Sequence, residues 1–371
     1  MLRPSALHTP TWSRRGALKG LAGGAAFAAG GRASAAAAAT RSETLVDEPK
    51  PVRAIYLNPR VTESWDGFME LVDLIDRTEL NALVIDIKDD QVFYPTDVSL
   101  FRESGTVAPL YDVSAMLAVL ADHRIFSIAR LVVFKDPLVA EMRPDLGVLD
   151  TETGALWRDM NGIAWVNPLA EELWEANASL AVEAGRLGFD EIQYDYVRFP
   201  TDGDLSRMDF GTPLAEETRT NAIVSFAEMS FNQLAPTGAK LAADIFGYTL
   251  LVPGDLGIGQ NADRLAPFFD TLCPMVYPSH FPEGSLLVPG HPNDYPYETI
   301  RISMEAGASK VGGQTRKLRP WLQDFSLPGM TPYTITDVRA QIDAAEATNT
   351  GGWLLWNPDN VYAEETFRAA G

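Results

Sequence analysis

Two aspartates stand at corresponding places in two apolar segments of the sequence. Asp195 lies in the strand-like run 188–200, where aromatic residues and an arginine flank it, and Asp244 lies in the run 241–247. A carboxylate at the C-terminal tip of a buried parallel strand is costly to desolvate, so proteins usually keep it there for catalysis or ligand binding. The chemistry predicted for such a pair is acid, base or nucleophilic catalysis by carboxylates.

The spacing of the two carboxylates indicates one reaction in particular. Strand residues alternate faces, which aligns Gln193 with Asp195 and Ala242 with Asp244. Neighbouring strands lie about 4.8 Å apart, closer to the separation of roughly 5–5.5 Å in retaining glycosidases than to the wider gap of inverting ones. Two structural roles are alternatives to catalysis. Asp195 could form an ion pair with Arg198, and Asp244 could cap a loop.

Other polar and aromatic residues follow the ends of the predicted strands. On the second strand, Asp86 and Lys88 are expected to face the interior, where they could contact substrate or neutralise each other. The remaining candidate substrate-binding residues are Arg130, Lys135, Asp136, Gln193, Arg198, Tyr277, His280, Gln323, Trp356 and Asn357. Sugars present hydroxyl edges and apolar faces, so this mixture suits a glycan. Since side chains alternate, either Trp353 or Trp356 must face the helices.

Strand-like and helix-like segments alternate from residue 52 onward and predict a parallel sheet. The eight strand candidates are Val52–Asn58, Ala82–Lys88, Ser127–Phe134, Glu191–Phe199, Leu241–Gly247, Thr271–Tyr277, Leu318–Phe325 and Gly352–Asn357. Eight repeats over about 300 residues favour a single-domain α/β fold, the closed (β/α)8 TIM barrel. The longer connections follow the strands, which places the binding groove at the C-terminal face of the barrel.

The N-terminal segment carries the features of an export signal. Arg14-Arg15 precedes a weakly apolar Ala/Gly run, and small residues stand at Ala33-Ser34-Ala35. This segment resembles a twin-arginine signal peptide, which predicts a signal over 1–35, a disordered linker over 36–51 and a catalytic domain over 52–371. We therefore expect a protein that the export machinery delivers to the periplasm, the cell envelope or the medium.

Charge and composition limit the classes of molecule that the protein is expected to bind. Cleavage after Ala35 removes five of the 30 basic residues and no acidic one, which changes the formal charge from −20 to −25. Such a surface repels nucleic acid and anionic lipid and favours a neutral or amino-bearing glycan as substrate. No apolar run is long enough to insert into a membrane. The lone Cys273 is predicted to be a small core residue, and no cofactor or metal motif is recognised.

Five ordered motifs carry a resemblance to a known family. They are the runs 130–137, 165–168, 193–200, 243–247 and 320–325. Together they resemble the "putative glycosyl hydrolase domain" family of bacterial proteins, long catalogued as a domain of unknown function. The resemblance implies a TIM barrel distantly similar to the α-amylase-like glycosidases, with Asp195 as the nucleophile and Asp244 as the acid/base. Those glycosidases carry Glu rather than Asp on the fifth strand, so the sequence departs from their pattern at Asp244.

The resulting hypothesis is an exported glycoside hydrolase that cleaves O-glycosidic bonds of a polysaccharide or oligosaccharide. Asp195 would be kept ionised by cations such as Arg198 or Lys88, and Asp244 would have the higher pKa. A non-catalytic carbohydrate-binding barrel is the main alternative. A metal-dependent hydrolase built on acidic residues, among them Asp86, is a weaker one, because the sequence lacks paired histidines.

Overall fold

The computed structural model describes residues 45–58 and 64–370. The predicted signal peptide, 1–35, lies outside the described residues. The described part of the predicted linker contacts the rest of the domain, since the amide of Val46 donates to Asp190 Oδ1 over 2.5 Å and Glu48 forms an ion pair with Arg319 at 3.3 Å.

Eight parallel strands close into a barrel, as the sequence predicts. They follow one another around the barrel in chain order, and the eighth pairs with the first. Their bounds are β1 Val52–Leu57, β2 Ala82–Lys88, β3 Phe126–Val132, β4 Glu191–Asp195, β5 Lys240–Phe246, β6 Thr271–Met275, β7 Trp321–Gln323 and β8 Gly352–Trp356. Most of the predicted strands run past the observed C-terminal ends.

The fourth strand shows why these ends differ. It stops at Asp195 rather than at Phe199, because Tyr196 takes a left-handed backbone conformation with φ of 52°. That conformation is uncommon for a residue other than glycine and breaks the extended chain. The amide of Tyr196 then donates to Asp195 Oδ1 over 2.6 Å. The turn therefore fixes the carboxylate at the tip of the strand.

The helices lie between successive strands in the chain. Their bounds are α1 Trp65–Arg77, α2 Ser99–Glu103, α3 Val113–Asp122, α4 Pro137–Met142, α5 Glu171–Leu187, α6 Glu216–Leu234, α7 Ala262–Leu265, α8 Pro296–Lys310 and α9 Ile335–Ala347. Side chains cap several of them. Asp112 accepts from the amide of Ala115 at the start of α3, and Gly188 ends α5 with φ of 113°. No helix in the described ranges has the length and apolar character needed to cross a bilayer.

Alternate strand residues divide the core into two clusters. An inner cluster fills the barrel and includes Val84, Ile128, Ala242, Cys273 and Leu354. An outer cluster of strand residues, Ile85 and Ile87 among them, packs against the helices. Trp353 belongs to the outer cluster and Trp356 borders the inner one, which settles the choice that the sequence left open. Cys273 is buried in the inner cluster, as predicted.

Two short strands that the sequence analysis missed connect the long loops after β3 and β4. Leu149–Asp150 pairs in antiparallel fashion with Met208–Asp209. Trp157 and Trp165, in the loop after β3, are buried and donate to Asp204 O and Asp159 Oδ2. These loops therefore form an ordered layer next to the C-terminal ends of β3 and β4.

Candidate active site

The centre of the site is an arginine held between two carboxylates. Arg130, near the end of β3, donates to Asp195 Oδ2 from Nε over 3.2 Å and from Nη2 over 2.5 Å. Its Nη1 donates to Asp86 Oδ1 on β2 over 2.7 Å. All three residues are almost completely buried. The two charge-assisted hydrogen bonds from Arg130 fix the orientation of the Asp195 carboxylate.

The carboxylate of Asp86 has a second donor on the opposite side. The hydroxyl of Tyr56, on β1, donates to its Oδ2 over 2.6 Å. Burial nevertheless raises the pKa of Asp86 to about 6, because desolvation outweighs the attraction of Arg130. The mutual neutralisation of Asp86 and Lys88 that the sequence left open is wrong, since Asp86 pairs with Arg130.

Asp244 lies beside Asp195 in a different environment. The register pairs Gln193 with Ala242 and Tyr194 with Ala243, so the next residues, Asp195 and Asp244, are at the same level of neighbouring strands. The indole Nε1 of Trp321 donates to Asp244 Oδ1 over 2.7 Å. Burial, followed by the negative charge of Asp195, raises the pKa of Asp244 well above its ordinary value. The two acids thus occupy matched positions with different partners.

Aromatic side chains line the wall next to these acids. Tyr56 and Trp356 stack with ring centres 4.0 Å apart, and Trp356 meets Trp321 edge to face at 5.5 Å. The Arg130 guanidinium lies 5.3 Å from the ring centre of Trp356. Flat apolar surfaces next to carboxylates can bind the apolar faces of a sugar ring.

A second aromatic group follows β6 and β7. The rings of Tyr277, His280 and Phe325 contact one another edge to face at 5.3 to 5.9 Å. Burial lowers the pKa of His280 to about 4, which leaves the imidazole neutral at physiological pH. Both predicted residues, Tyr277 and His280, lie at this end of the barrel, and His280 cannot supply a positive charge there.

Lys88 and Asp136 form an ion pair of their own, in which the Lys88 Nζ lies 2.7 Å from Asp136 Oδ2. Lys88 also donates to Val132 O over 2.8 Å, and Asp136 accepts from the amide of Val139 at the start of α4. Lys88 is fully buried. The pairing of β2 with β3 shifts register between Asp86 and Lys88. These contacts anchor α4. The predicted contact of Lys88 with Asp195 is therefore wrong, because the cation that pairs with Asp195 is Arg130.

The three predicted amide residues, Gln193, Gln323 and Asn357, differ in their burial and in their hydrogen-bond partners. Gln323 is fully buried, accepts from the amide of Ser279 and donates to Phe325 O, so it holds the loops after β6 and β7. Gln193 is fully buried two residues before Asp195 on β4. Asn357 donates to Asp324, whose pKa burial raises to about 6.

Two further cations of the predicted set surround the Tyr196 ring. The Lys135 Nζ lies 4.9 Å from its centre and the Arg198 guanidinium 4.8 Å. Arg198 also lies 5.0 Å from the ring of Trp165 and 4.6 Å from that of Phe246. The Asp195–Arg198 ion pair considered from the sequence is wrong, because the partner of Asp195 is Arg130.

Two side chains that contact the acids are not among the predicted site residues. Tyr56 lies within the first predicted strand, and Trp321 lies within the motif 320–325. Strand alternation could have indicated Tyr56, which lies on the same inward face as Val52 and Ala54. No sequence pattern indicates that the Trp321 indole reaches across the barrel to Asp244.

Neither of two cavities, nor any cluster of metal-ligating side chains in the described part of the chain, indicates a second candidate active site. One cavity of about 490 Å³ lies on the far side of the barrel, where Arg53, Glu79 and Arg368 contribute to its walls. Another of about 600 Å³ lies beside the loop after β4, next to Phe199 and Phe210. Neither is lined by Asp195 or Asp244. In the described part of the chain, no cluster of three or more His, Cys, Asp or Glu residues could hold a metal ion.

Comparison with known proteins relates the chain to glycoside hydrolases. A family model described as "Putative glycosyl hydrolase domain" matches residues 54–362. The glycoside hydrolase domain of PgaB (BpsB) from Bordetella bronchiseptica superposes with a TM-score of 0.61 at 12% identity and covers 84% of this chain and 94% of that chain. A GH20 exo-β-N-acetylglucosaminidase from Vibrio harveyi gives a TM-score of 0.54 at 13% identity, over 85% of this chain and 53% of that chain.

One solved structure is closer in sequence. A hypothetical protein from Ruminiclostridium thermocellum ATCC 27405 is 36% identical over 51% of this chain and 96% of that chain, with a TM-score of 0.46. No curated protein matches the sequence. The distant structures establish that the barrel fold is shared with glycoside hydrolases, and the family model covers most of the barrel.

Proposed function

The chain belongs to the family described as a putative glycosyl hydrolase domain, and we propose that it is a retaining glycoside hydrolase with Asp195 as nucleophile and Asp244 as acid/base. The observation that carries this proposal is the asymmetry of the two acids. They occupy matched positions on β4 and β5, yet Arg130 pairs with Asp195, whereas the donor to the buried Asp244 among the described residues is the neutral Trp321 indole. Environments that push two carboxyl pKa values apart assign the nucleophile and the acid.

In the first step, an oxygen of Asp195 forms a bond to the anomeric carbon while the bond to the leaving oxygen breaks. The proton of Asp244 passes to that leaving oxygen. Two observations support this assignment: the Arg130 guanidinium pairs with the Asp195 carboxylate, and the raised pKa of Asp244 keeps its proton available.

The second step follows from the same electrostatics. Once Asp195 is esterified, its negative charge is gone, and this charge is one cause of the raised pKa of Asp244. The pKa of Asp244 then falls, so its carboxylate can take a proton from water as the oxygen of that water attacks the anomeric carbon. The bond to Asp195 breaks, and both acids return to their starting states.

The walls of the site and the family support a glycan as the substrate class. Stacked Tyr56 and Trp356 provide an apolar platform beside the acids, which suits a sugar ring of a polysaccharide or oligosaccharide. Solved structures of the same fold are named as glycoside hydrolases, among them the PgaB (BpsB) glycoside hydrolase domain. The overall charge favours neutral or amino-bearing chains over polyanions, and the N-terminal signal motif favours export to the cell envelope or beyond.

The test is a screen of the purified mature protein against neutral and amino-sugar polysaccharides, with new reducing ends as the readout. Asp195→Asn serves as the matched control because it keeps the shape of the side chain and removes its charge. We expect cleavage of at least one glycan by the native protein and none by the variant. Equal cleavage by the two proteins would refute the mechanism, and a glycan that binds without cleavage would instead support a carbohydrate-binding barrel.

A further inference from the structure

Arg198 is a buried cation without a carboxylate in direct contact. Its side chain is only 6% exposed, yet no ion pair joins it to an acid in the described ranges. Its Nη1 donates to Phe199 O over 3.1 Å and to Thr201 Oγ1 over 3.3 Å. Within the same ranges, Nε and Nη2 have no hydrogen-bond partner, and neither is among the side-chain atoms sealed from solvent. The Nε and Nη2 nitrogens of Arg198 are therefore available to donate hydrogen bonds to a ligand.

The surroundings of Arg198 place it between the two proposed catalytic strands. One of its stacking partners, Tyr196, directly follows Asp195, and another, Phe246, comes two residues after Asp244. Phe246 therefore has the same strand parity as Asp244 and lies further toward the C-terminal mouth of the barrel. The guanidinium thus contacts rings from the segments that follow both acids, and the charge of Asp195 acts on it.

Neighbouring acids are already engaged by other donors. Asp195 pairs with Arg130, Asp159 accepts from the Trp165 indole, and Asp202 accepts from the amide of Met160. These three carboxylates act on Arg198 only at longer range, and burial lowers the pKa of its guanidinium despite them. A buried charge without a paired counter-ion is costly, and an anionic ligand would offset that cost.

A second cation extends the positive region toward solvent. The Lys135 ammonium contacts the same Tyr196 ring, so the two charges lie within about 10 Å of each other. Lys135 is half-buried, and among the described residues it has no carboxylate partner. At such a spacing the Arg198 guanidinium can bind a carboxylate directly, while the Lys135 ammonium attracts the same charge at longer range.

We infer that Arg198 and Lys135 form an anion subsite, and that the glycan carries a carboxylate on a sugar unit next to the scissile bond. The inference rests on the proposed glycosidase function and narrows its substrate. The negative net charge of the protein still disfavours densely charged glycans, so the subsite fits a glycan in which one carboxylate recurs among neutral or amino sugars. The carboxylate could belong to a uronic acid or to a lactyl ether on an amino sugar.

The experiment compares pairs of glycans that differ only at the carboxylate. One pair is hyaluronan and carboxyl-reduced hyaluronan, and the other is peptide-free peptidoglycan strands and their carboxyl-reduced form. Both kcat/KM and the Kd from calorimetry are measured. Loss of a charge-assisted contact typically changes affinity by about tenfold or more, so we expect the acidic member of one pair to be preferred by that factor. The pair that shows the preference identifies the source of the carboxylate.

Variants assign the preference to the subsite. Lys135→Gln changes a half-buried side chain, and we expect it to lower the acidic-to-reduced ratio several-fold; Arg198→Lys keeps the charge but loses the planar pair of donors and should lower it too. Lys240→Gln, at the opposite end of β5, is the matched control and should leave the ratio unchanged. Equal binding of the acidic and reduced glycans, or a ratio that survives Lys135→Gln, overturns the inference.

The outcome also separates this inference from the proposed function. Cleavage of chitosan or of the reduced glycans at rates equal to the acidic ones refutes the anion subsite and sustains the hydrolase. Preferential binding of an acidic glycan without cleavage sustains the subsite and refutes the hydrolase. Failure to bind any acidic glycan refutes the subsite, whatever other glycan is cleaved.

Discussion

Arg130 donates twice to one oxygen of Asp195, from Nε and from Nη2, and this leaves its Nη1 for Asp86. One guanidinium thus connects carboxylates from β2 and β4 through the interior of the barrel. The arrangement orients the proposed nucleophile through a residue of the neighbouring strand rather than one of its own.

Replacement of Arg130 by methionine should destabilise the fold at neutral pH. The variant leaves two buried carboxylates without their shared cation, a change that typically costs about 3–5 kcal/mol in the free energy of unfolding. At pH 5 the loss should be smaller, because Asp86, with a pKa of about 6, is then largely protonated. Urea unfolding at the two pH values measures both quantities. Arg301→Met, which removes an exposed pair with Glu305, is the control and should cost less than about 1 kcal/mol.

Chemical rescue tests the role of Asp195 directly. Asp195→Gly should lose activity by at least about a thousandfold, as expected for removal of a nucleophile. Azide can enter the space left by the carboxylate and attack the anomeric carbon, so added azide should restore turnover and yield a glycosyl azide. Proton NMR of the native reaction should show a first product with the anomeric configuration of the substrate. A first product of inverted configuration contradicts the assignment.

The Trp321 indole should tune the proton affinity of Asp244. Its hydrogen bond to Oδ1 favours the charged carboxylate and so lowers the pKa of Asp244 against the raising effect of burial. In Trp321→Phe that donor is lost, and Asp244 should hold its proton to higher pH. We expect the alkaline limb of the kcat/KM profile to move upward.

The control for this prediction is Trp353→Phe. Trp353 packs outside the barrel against Phe367, so this variant removes an indole N–H without touching Asp244. Its alkaline limb should coincide with that of the native protein. An alkaline limb that does not move in Trp321→Phe, or that moves downward, would contradict the proposed effect of the indole on Asp244.

Trp356→Ala should weaken substrate binding more than it slows chemistry. The variant removes the ring that stacks on Tyr56 at 4.0 Å and leaves the acids in place. Loss of an aromatic contact of this kind is worth about 0.5–1.5 kcal/mol beyond area burial, so KM should rise by about threefold to tenfold. Steady-state kinetics on the glycan identified by the screen gives both parameters. A fall in kcat at unchanged KM would contradict a platform role for this ring.

Much of the barrel could be predicted from the sequence because its signals are local. Each strand is a short apolar run, and the alternation along it correctly turned Asp86, Asp195 and Asp244 inward. The end of β4 was predicted four residues too late, since the left-handed turn at Tyr196 depends on a residue with no unusual local propensity.

The partners of the acids could not be predicted in the same way. The cation on Asp195 was expected from Arg198, three residues away in the chain, whereas Arg130 reaches it from the neighbouring strand. Lys88 and Asp86 share the same strand parity, yet a register shift between them gives Lys88 a different partner, Asp136. Such pairings depend on rotamers and strand irregularities that composition and periodicity do not encode.

Finally, Asp86 should give the fold a stability that decreases with rising pH. In the unfolded chain this carboxyl has its ordinary pKa of 3.8, and in the folded protein burial raises the pKa to about 6. Between these values the folded state holds the proton more tightly, so its contribution to the free energy of unfolding is fully present below about pH 4 and is lost as the pH rises through 6. The difference corresponds to about 3 kcal/mol at 1.36 kcal/mol per pH unit. Asp86→Asn cannot titrate, so the native protein should lose about that much relative to the variant between about pH 3 and pH 7, as measured by urea unfolding at half-unit steps. Asp73→Asn, on the exposed face of α1, is the control for removal of one carboxylate. A native-minus-Asp86→Asn difference that stays constant, or that grows with pH, would show that Arg130 and Tyr56 compensate fully for the burial of this charge.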